Sequence, residues 1–230
     1  MTEYLNTGFE GNDLSDFDGT VTSSGCTSEV LSTDPYLGTY HAHFETDADG
    51  LYAYVYFNDG ETLDLSEIYT AIYVKFLSLP TGNRQMCLIH RGSYNVSQLR
   101  IKTGGSPETT RLRLEGKDGE DWLTAGYGSA LMTGQWYFIQ LYTKIHSTAG
   151  IHRVYLNDVL DLEILNVDSS LYGNIERVEV GIPDCAEAVE LYLDRVIVAD
   201  SMIEPEEQEE ESEGGAGGGI ASIMQFLGML

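Results

Sequence analysis

The sequence predicts an all-β protein, an antiparallel β-sandwich over residues 1–203, followed by an acidic and Gly-rich linker (204–219) and a short apolar peptide (220–230). Three observations carry this. Apolar and polar residues alternate with period two along most of the first 203 residues, placing one row of side chains on a core and the other on solvent. Gly, Asn and Asp fall between the alternating runs, where turns need φ > 0. No apolar pattern of helical period longer than two turns occurs before residue 219.

The runs follow in order. In Leu51–Phe57, positions 51, 53, 55 and 57 form an apolar face, and Tyr52, Tyr54 and Tyr56 form the other. In Thr70–Leu77, Ile72, Val74 and Phe76 share a face. Leu99 and Ile101 alternate with Gln98, Arg100 and Lys102; Leu112 and Leu114 alternate with Arg111, Arg113 and Glu115. Trp136–Tyr142, Arg153–Asn157, Ile175–Ile182 and Val189–Val198 continue the series. Turn chemistry sits at Asn58-Asp59-Gly60 and Lys117-Asp118-Gly119, and Asn157-Asp158 fits a two-residue hairpin. About ten to thirteen short strands are expected, which is the count of a sandwich.

Charge narrows the partners. The chain has 12 Lys and Arg against 37 Asp and Glu, a net charge of −25. Seven of those acids lie in Glu204–Glu213 with no base among them. The remainder is still strongly negative, which excludes a nucleic-acid backbone as main partner and disfavours anionic membranes. A hydrophobic fraction of 42% with 10% aromatics supports a packed core. No apolar stretch is long enough to span a membrane, and the amino end shows neither the basic start nor the apolar run of a secretory signal. Cys26, Cys87 and Cys185 lack metal-ligand spacing; they fit three thiols, or one bridge and a free thiol.

The carboxyl end changes character. The self-repelling linker precedes Ile220–Leu230, in which Ile220, Ile223, Met224 and Leu227 share one helical face with Phe226 beside it. An apolar peptide on such a leash reads as a docking segment that fills a groove on a particle or capsid protein, or associates with copies of itself. A disordered or processed terminus fits the same residues.

Local words in this order resemble a known family. Phe9-Glu10-Gly11 with Leu14-Ser-Asp-Phe17, Gly38–Phe44, Thr133–Leu141, Val154–Val159 and Glu190–Val198 together resemble laminin G-like and concanavalin A-like jelly-roll domains, with carbohydrate-binding modules as relatives. The resemblance covers about residues 7–203 and implies a closing strand that returns beside the first. It also implies a structural calcium ion, with Glu10, Asp194 and the Gly38–Tyr40 segment as ligands and Asn12 and Asp13 as additions. Arg195 stands where relatives often carry a second acid.

Fifteen Tyr, with Tyr52, Tyr54 and Tyr56 on one strand and Tyr69 and Tyr73 in phase on another, suit stacking on sugar rings. Tyr is also favoured on sheet surfaces for packing alone. For catalysis, sugar-cleaving relatives carry Glu-x-Asp-x-x-Glu, which is absent: Glu45-Thr-Asp47 continues with Ala48-Asp49-Gly50. Gln85, His90, Arg91 and Tyr94 are the one lyase-like cluster and match no lyase motif. The expectation is a non-enzymatic surface, decoration or attachment protein of a virus particle or similar assembly. Its sandwich faces outward and binds glycans, and its terminal peptide anchors or oligomerises it. A virion component released by lysis reconciles an extracellular fold with the missing export signal. The alternative is a carbohydrate-binding module or a glycan-active enzyme, a polysaccharide lyase or glycosidase, of the same fold.

Overall fold

The computed structural model describes residues 1–47, 51–80, 85–105, 108–184 and 188–206, with the backbone alone for 85–87. Among them are fifteen strands and no helix. They are β1 (Glu3–Thr7), β2 (Gly19–Thr22), β3 (Thr27–Leu31), β4 (His41–Thr46), β5 (Ala53–Phe57), β6 (Glu67–Phe76), β7 (Gln85–Arg91) and β8 (Asn95–Gly104). There follow β9 (Thr109–Asp118), β10 (Asp121–Thr124), β11 (Trp136–Lys144), β12 (Gly150–Leu156), β13 (Val159–Val167), β14 (Arg177–Asp184) and β15 (Val189–Ala199). The count exceeds the expected one because β2 and β10 have four residues each, too few to show alternation.

The strands form two antiparallel sheets, a concanavalin A-like jelly-roll sandwich. The eight-stranded sheet runs β13-β12-β11-β6-β15-β4-β3, with β1 beside the second half of β15. The seven-stranded sheet runs β10-β9-β8-β7-β14-β5-β2. The closing strand does return beside the first, Thr7 opposite Val196. Asn157 and Asp158 adopt φ of 48° and 68° and join Leu156 to Val159 as the two-residue turn the sequence predicts. The inner faces meet in one core that includes Phe44, Val55, Ile72, Leu99, Leu114 and Leu193, all fully buried.

A bulge in β15 serves that core. Arg195 takes φ of 48° as the extra residue between Asp194 and Val196. Strict alternation would turn Val196 to the same side as Asp194. The extra residue keeps both Leu193 and Val196 in the core.

The chain past β15 lies on the outer face of the eight-stranded sheet. The amide of Ile203 donates to Gln140 Oε1 at 2.9 Å, the Tyr73 hydroxyl donates to the Glu206 carbonyl at 3.2 Å, and Arg195 Nη2 pairs with Glu206 Oε1 at 2.6 Å. Residues 207–230, which include Ile220, Ile223, Met224, Phe226 and Leu227, lie outside the described residues, as does Cys185. Cys26 is a free thiol.

Four histidines, His41, His43, His90 and His152, are buried. His90 projects inward and bonds Thr70 Oγ1 at 2.8 Å and Thr143 Oγ1 at 2.9 Å, so it bridges the two sheets. Burial pushes its pKa down to about 3, and those of His41 and His152 down to about 4. Below pH 6.5 the unfolded chain therefore takes up protons that the native imidazoles refuse. Their contribution is complete above pH 6.5 and is lost as pH falls toward about 3. Urea unfolding from pH 7 to pH 4 is expected to show His90→Asn losing less stability than the native sequence, by up to about 1.4 kcal/mol per pH unit. Equal losses would show that His90 is not the titrating group.

Candidate functional site

Outward side chains of the seven-stranded sheet assemble a polar trough. On β14, Arg177 and Glu179 face out; on β7, Arg91 does; on β8, Gln98, Arg100 and Lys102. On β9 these are Arg111, Arg113, Glu115 and Lys117. One cross-strand row runs Tyr56, Glu179, Ile89, Gln98, Glu115, Thr124 from β5 to β10. At ~4.8 Å between strands this row is about 24 Å long. Its floor is buried, with Gln98 2% and Arg100 7% exposed, whereas Tyr52 and Trp122 toward the edges are 40% and 39% exposed.

Ion pairs hold the floor in place. Glu179 Oε1 accepts from Arg91 Nη1 at 2.8 Å and pairs with Arg177 Nε at 3.1 Å. Glu115 bridges Arg100 at 3.0 Å and Arg113 at 2.9 Å, and accepts from Gln98 Nε2 at 2.6 Å. Arg177 stacks 3.7 Å over the Tyr56 ring. Lys117 sits between Trp122 and Tyr172, 4.6 and 4.9 Å from their ring centres. Arg91, Tyr94, Asn95, Lys117, Trp122 and Tyr172 line a hollow of about 260 Å³, and one of about 470 Å³ opens beside Arg91 and Arg177. Burial and then the Glu179 carboxylate hold the Tyr54 phenol above its ordinary pKa, so it stays a neutral donor.

The five tyrosines singled out in the sequence do not form one platform. Tyr52, Tyr54 and Tyr56 border this trough. Tyr69 and Tyr73 lie on the outer face of the opposite sheet, about 10 Å of core away. Tyr69 stacks on Tyr142 at 4.3 Å. Tyr73 is 2% exposed, stacked on Tyr36 at 4.2 Å and bonded to Glu206. It offers no free ring to a sugar, which corrects its reading as a platform residue. A hollow of about 260 Å³ on this face is lined by Tyr36, Tyr73, Trp136, Phe138, Asn157 and Pro205.

The lyase-like cluster is not assembled either. His90 is fully buried between the sheets, while Arg91 and Tyr94 face outward. Glu115 and Glu179 are three strands apart, about 14 Å, beyond the separation that glycoside hydrolysis uses.

The residues implied for calcium divide. Glu10 Oε1 accepts from the amides of Thr39 and Tyr40 at 2.9 and 3.2 Å and lies against Gly38. Gly38 has φ of 66°, and a Cβ there would meet Glu10 Oε1 at 2.3 Å. Asp194 is fully buried; its Oδ2 accepts from Tyr36 and Leu37, and its Oδ1 is buried without a hydrogen bond. Burial pushes this carboxyl up to about 6 against those amides, and the Glu10 charge raises it further. Asp13 instead binds Ser15 through its amide at 2.9 Å and its hydroxyl at 2.6 Å. Among the described residues no three His, Cys, Asp or Glu side chains cluster for a metal. Calcium also accepts backbone carbonyls, so the orphaned Asp194 oxygen beside Glu10 fits that ion.

The trough's charged residues were missed in the sequence because no motif marks them. Arg111, Arg113 and Glu115 alternate visibly, but only the β8–β9 pairing sets them against Gln98, Arg100 and Lys102.

No family model matches the sequence, and no curated protein sequence matches it. Solved structures do. The endo-β-1,4-glucuronan lyase of the fungus Trichoderma reesei superposes with a TM-score of 0.69 at 12% identity, over 87% of this chain and 96% of that one. The cellulose induced protein Cip1 gives 0.64 at 15%, over 86% and 98%. Domain 4 of AbnA, a GH43 extracellular arabinanase from Geobacillus stearothermophilus, in complex with arabinotriose, gives 0.57 at 17%, over 86% and 91%. At these identities the likeness is one of fold.

Proposed function

We propose that this chain is a non-enzymatic glycan-binding protein whose site is the outer face of the seven-stranded sheet. One observation carries the reading: a rigid, ion-paired polar floor lies between aromatic edges, Tyr52, Tyr54 and Tyr56 on one side and Trp122 on the other. Aromatic rings take the apolar faces of sugars, and fixed guanidinium and amide donors take hydroxyls at small entropic cost. The company of carbohydrate-active jelly rolls supports the ligand class. The inward His90 and the wide spacing of Glu115 and Glu179 favour binding over cleavage.

The same reading includes a tether. The acidic run Glu204–Glu213 and the apolar residues Ile220–Leu230 suit a sandwich displayed on a virus particle or similar assembly, attached through a groove on a particle protein or through other copies of itself. It also includes a structural calcium ion held by Glu10, Asp194 and carbonyls of the Gly38–Tyr40 segment. That ion would relieve the buried negative charge of Asp194 and tie the first loop to the closing strand.

Three outcomes are expected. On a glycan array the full chain binds at least one oligosaccharide, and Tyr54→Ala with Tyr56→Ala weakens that binding about tenfold. Unchanged binding by this variant would move the site elsewhere. Added calcium raises the melting midpoint of the native chain but not of Asp194→Asn; a midpoint indifferent to chelator removes the ion. Deleting residues 220–230 lowers the sedimentation coefficient or ends co-sedimentation with the assembly, and no change would leave the peptide without an attachment role.

A further inference from the structure

We propose that the glycan bound on this face is a carboxylated polysaccharide, a polyuronate, and that Arg100, Lys102, Arg111 and Arg113 are the residues that select it. The inference rests on the glycan-binding reading and adds the charge class of the ligand.

Arg100 stands directly opposite Arg113, and Lys102 directly opposite Arg111. Like charges in such positions destabilise a sheet, and here two such pairs adjoin. Glu115 bridges the first pair. Nothing comparable serves the second: Arg111 donates to the Gly128 carbonyl at 3.1 Å, and no carboxylate among the described residues forms an ion pair with Arg111 or Lys102. The chain has 37 acids with which to neutralise them, and 12 bases in all, of which seven face outward from this sheet. A repulsive block left unneutralised in so acidic a chain is the pattern of a site that receives its anions from outside.

The side chains suit carboxylates. A guanidinium presents paired N–H donors in a fork that matches a carboxylate, and such bonds are stronger than those to neutral hydroxyls. Tyr127 lies at the corner of the block, 41% exposed, 5.8 Å from the Arg113 guanidinium and packed on Gly104. A sugar ring stacked there would bring its acid over the cations. Nucleic acid is the other polyanion to weigh. Its backbone carries a charge every ~1.7 Å of duplex, against which a protein of net charge −25 is repelled from a distance. A polyuronate carries one charge per sugar and meets far less of that repulsion.

Calorimetry of the full chain tests this with three probes: a glucuronate hexasaccharide, neutral cellohexaose and a thymidine oligonucleotide. The glucuronate is expected to bind, to bind more weakly in higher salt, and to lose about tenfold or more in affinity in Lys102→Gln with Arg111→Gln. That variant removes opposed positive charges, so its melting midpoint should hold or rise while binding falls. Should the double variant not fold, Lys102→Gln alone, at a half-exposed position, shows the same direction. Cellohexaose bound as tightly as glucuronate, with no effect of the variant, overturns this inference and leaves the glycan reading standing. Binding of neither sugar overturns this inference, and overturns the glycan reading as well only when the array is also blank. Oligonucleotide bound as tightly as glucuronate overturns the choice of a sugar acid.

Discussion

The outer trough depends on what lies beneath it. Leu99, Ile101, Leu112 and Leu114 are fully buried on the inner faces of β8 and β9. Because strand side chains alternate strictly, a slip of one residue would exchange these leucines and isoleucine for Arg100, Lys102, Arg111 and Arg113. Burying that many charges is prohibitive. The core therefore fixes the register, and the register fixes which cations stand opposite each other. The repulsion between them is carried by apolar packing on the far side of the same strands.

Much of this framework is legible in the sequence, because period two is a local signal. Tyr52, Tyr54 and Tyr56 against Ala53, Val55 and Phe57 can be read without knowing the neighbours of their strand. So can the Asn157-Asp158 turn. Adjacency is different. Nothing local says that β8 lies beside β9, or that β14 sits between β5 and β7, so the Glu115 and Glu179 networks emerge only when the sheet closes. Tyr73 shows the converse: periodicity places it outward correctly, but a segment 133 residues further along the chain covers it. His90 looks like a surface acid–base group in isolation and is an inter-sheet bridge in context.

The charge of the chain also divides by place. The bulk of the acids lie on loops, edges and the run after Ile203, while the central strands of one sheet collect most of the bases. Long-range repulsion of anions and their local attraction are thus properties of different surfaces. Because the Debye length in physiological salt is only about 8 Å, an anion within the trough is governed by the guanidinium groups around it more than by the distant excess of carboxylates.

The route of the chain after β15 has a geometric consequence. Ile203 and Glu206 are pinned to Gln140 and Tyr73 on the back of the eight-stranded sheet, while the trough occupies the front of the seven-stranded one. The thickness of the sandwich separates the two. Residue 206, the last described, thus lies on the side remote from the cations. A partner seated over Gln140 and Tyr73 would therefore leave the trough face of the sandwich unobstructed.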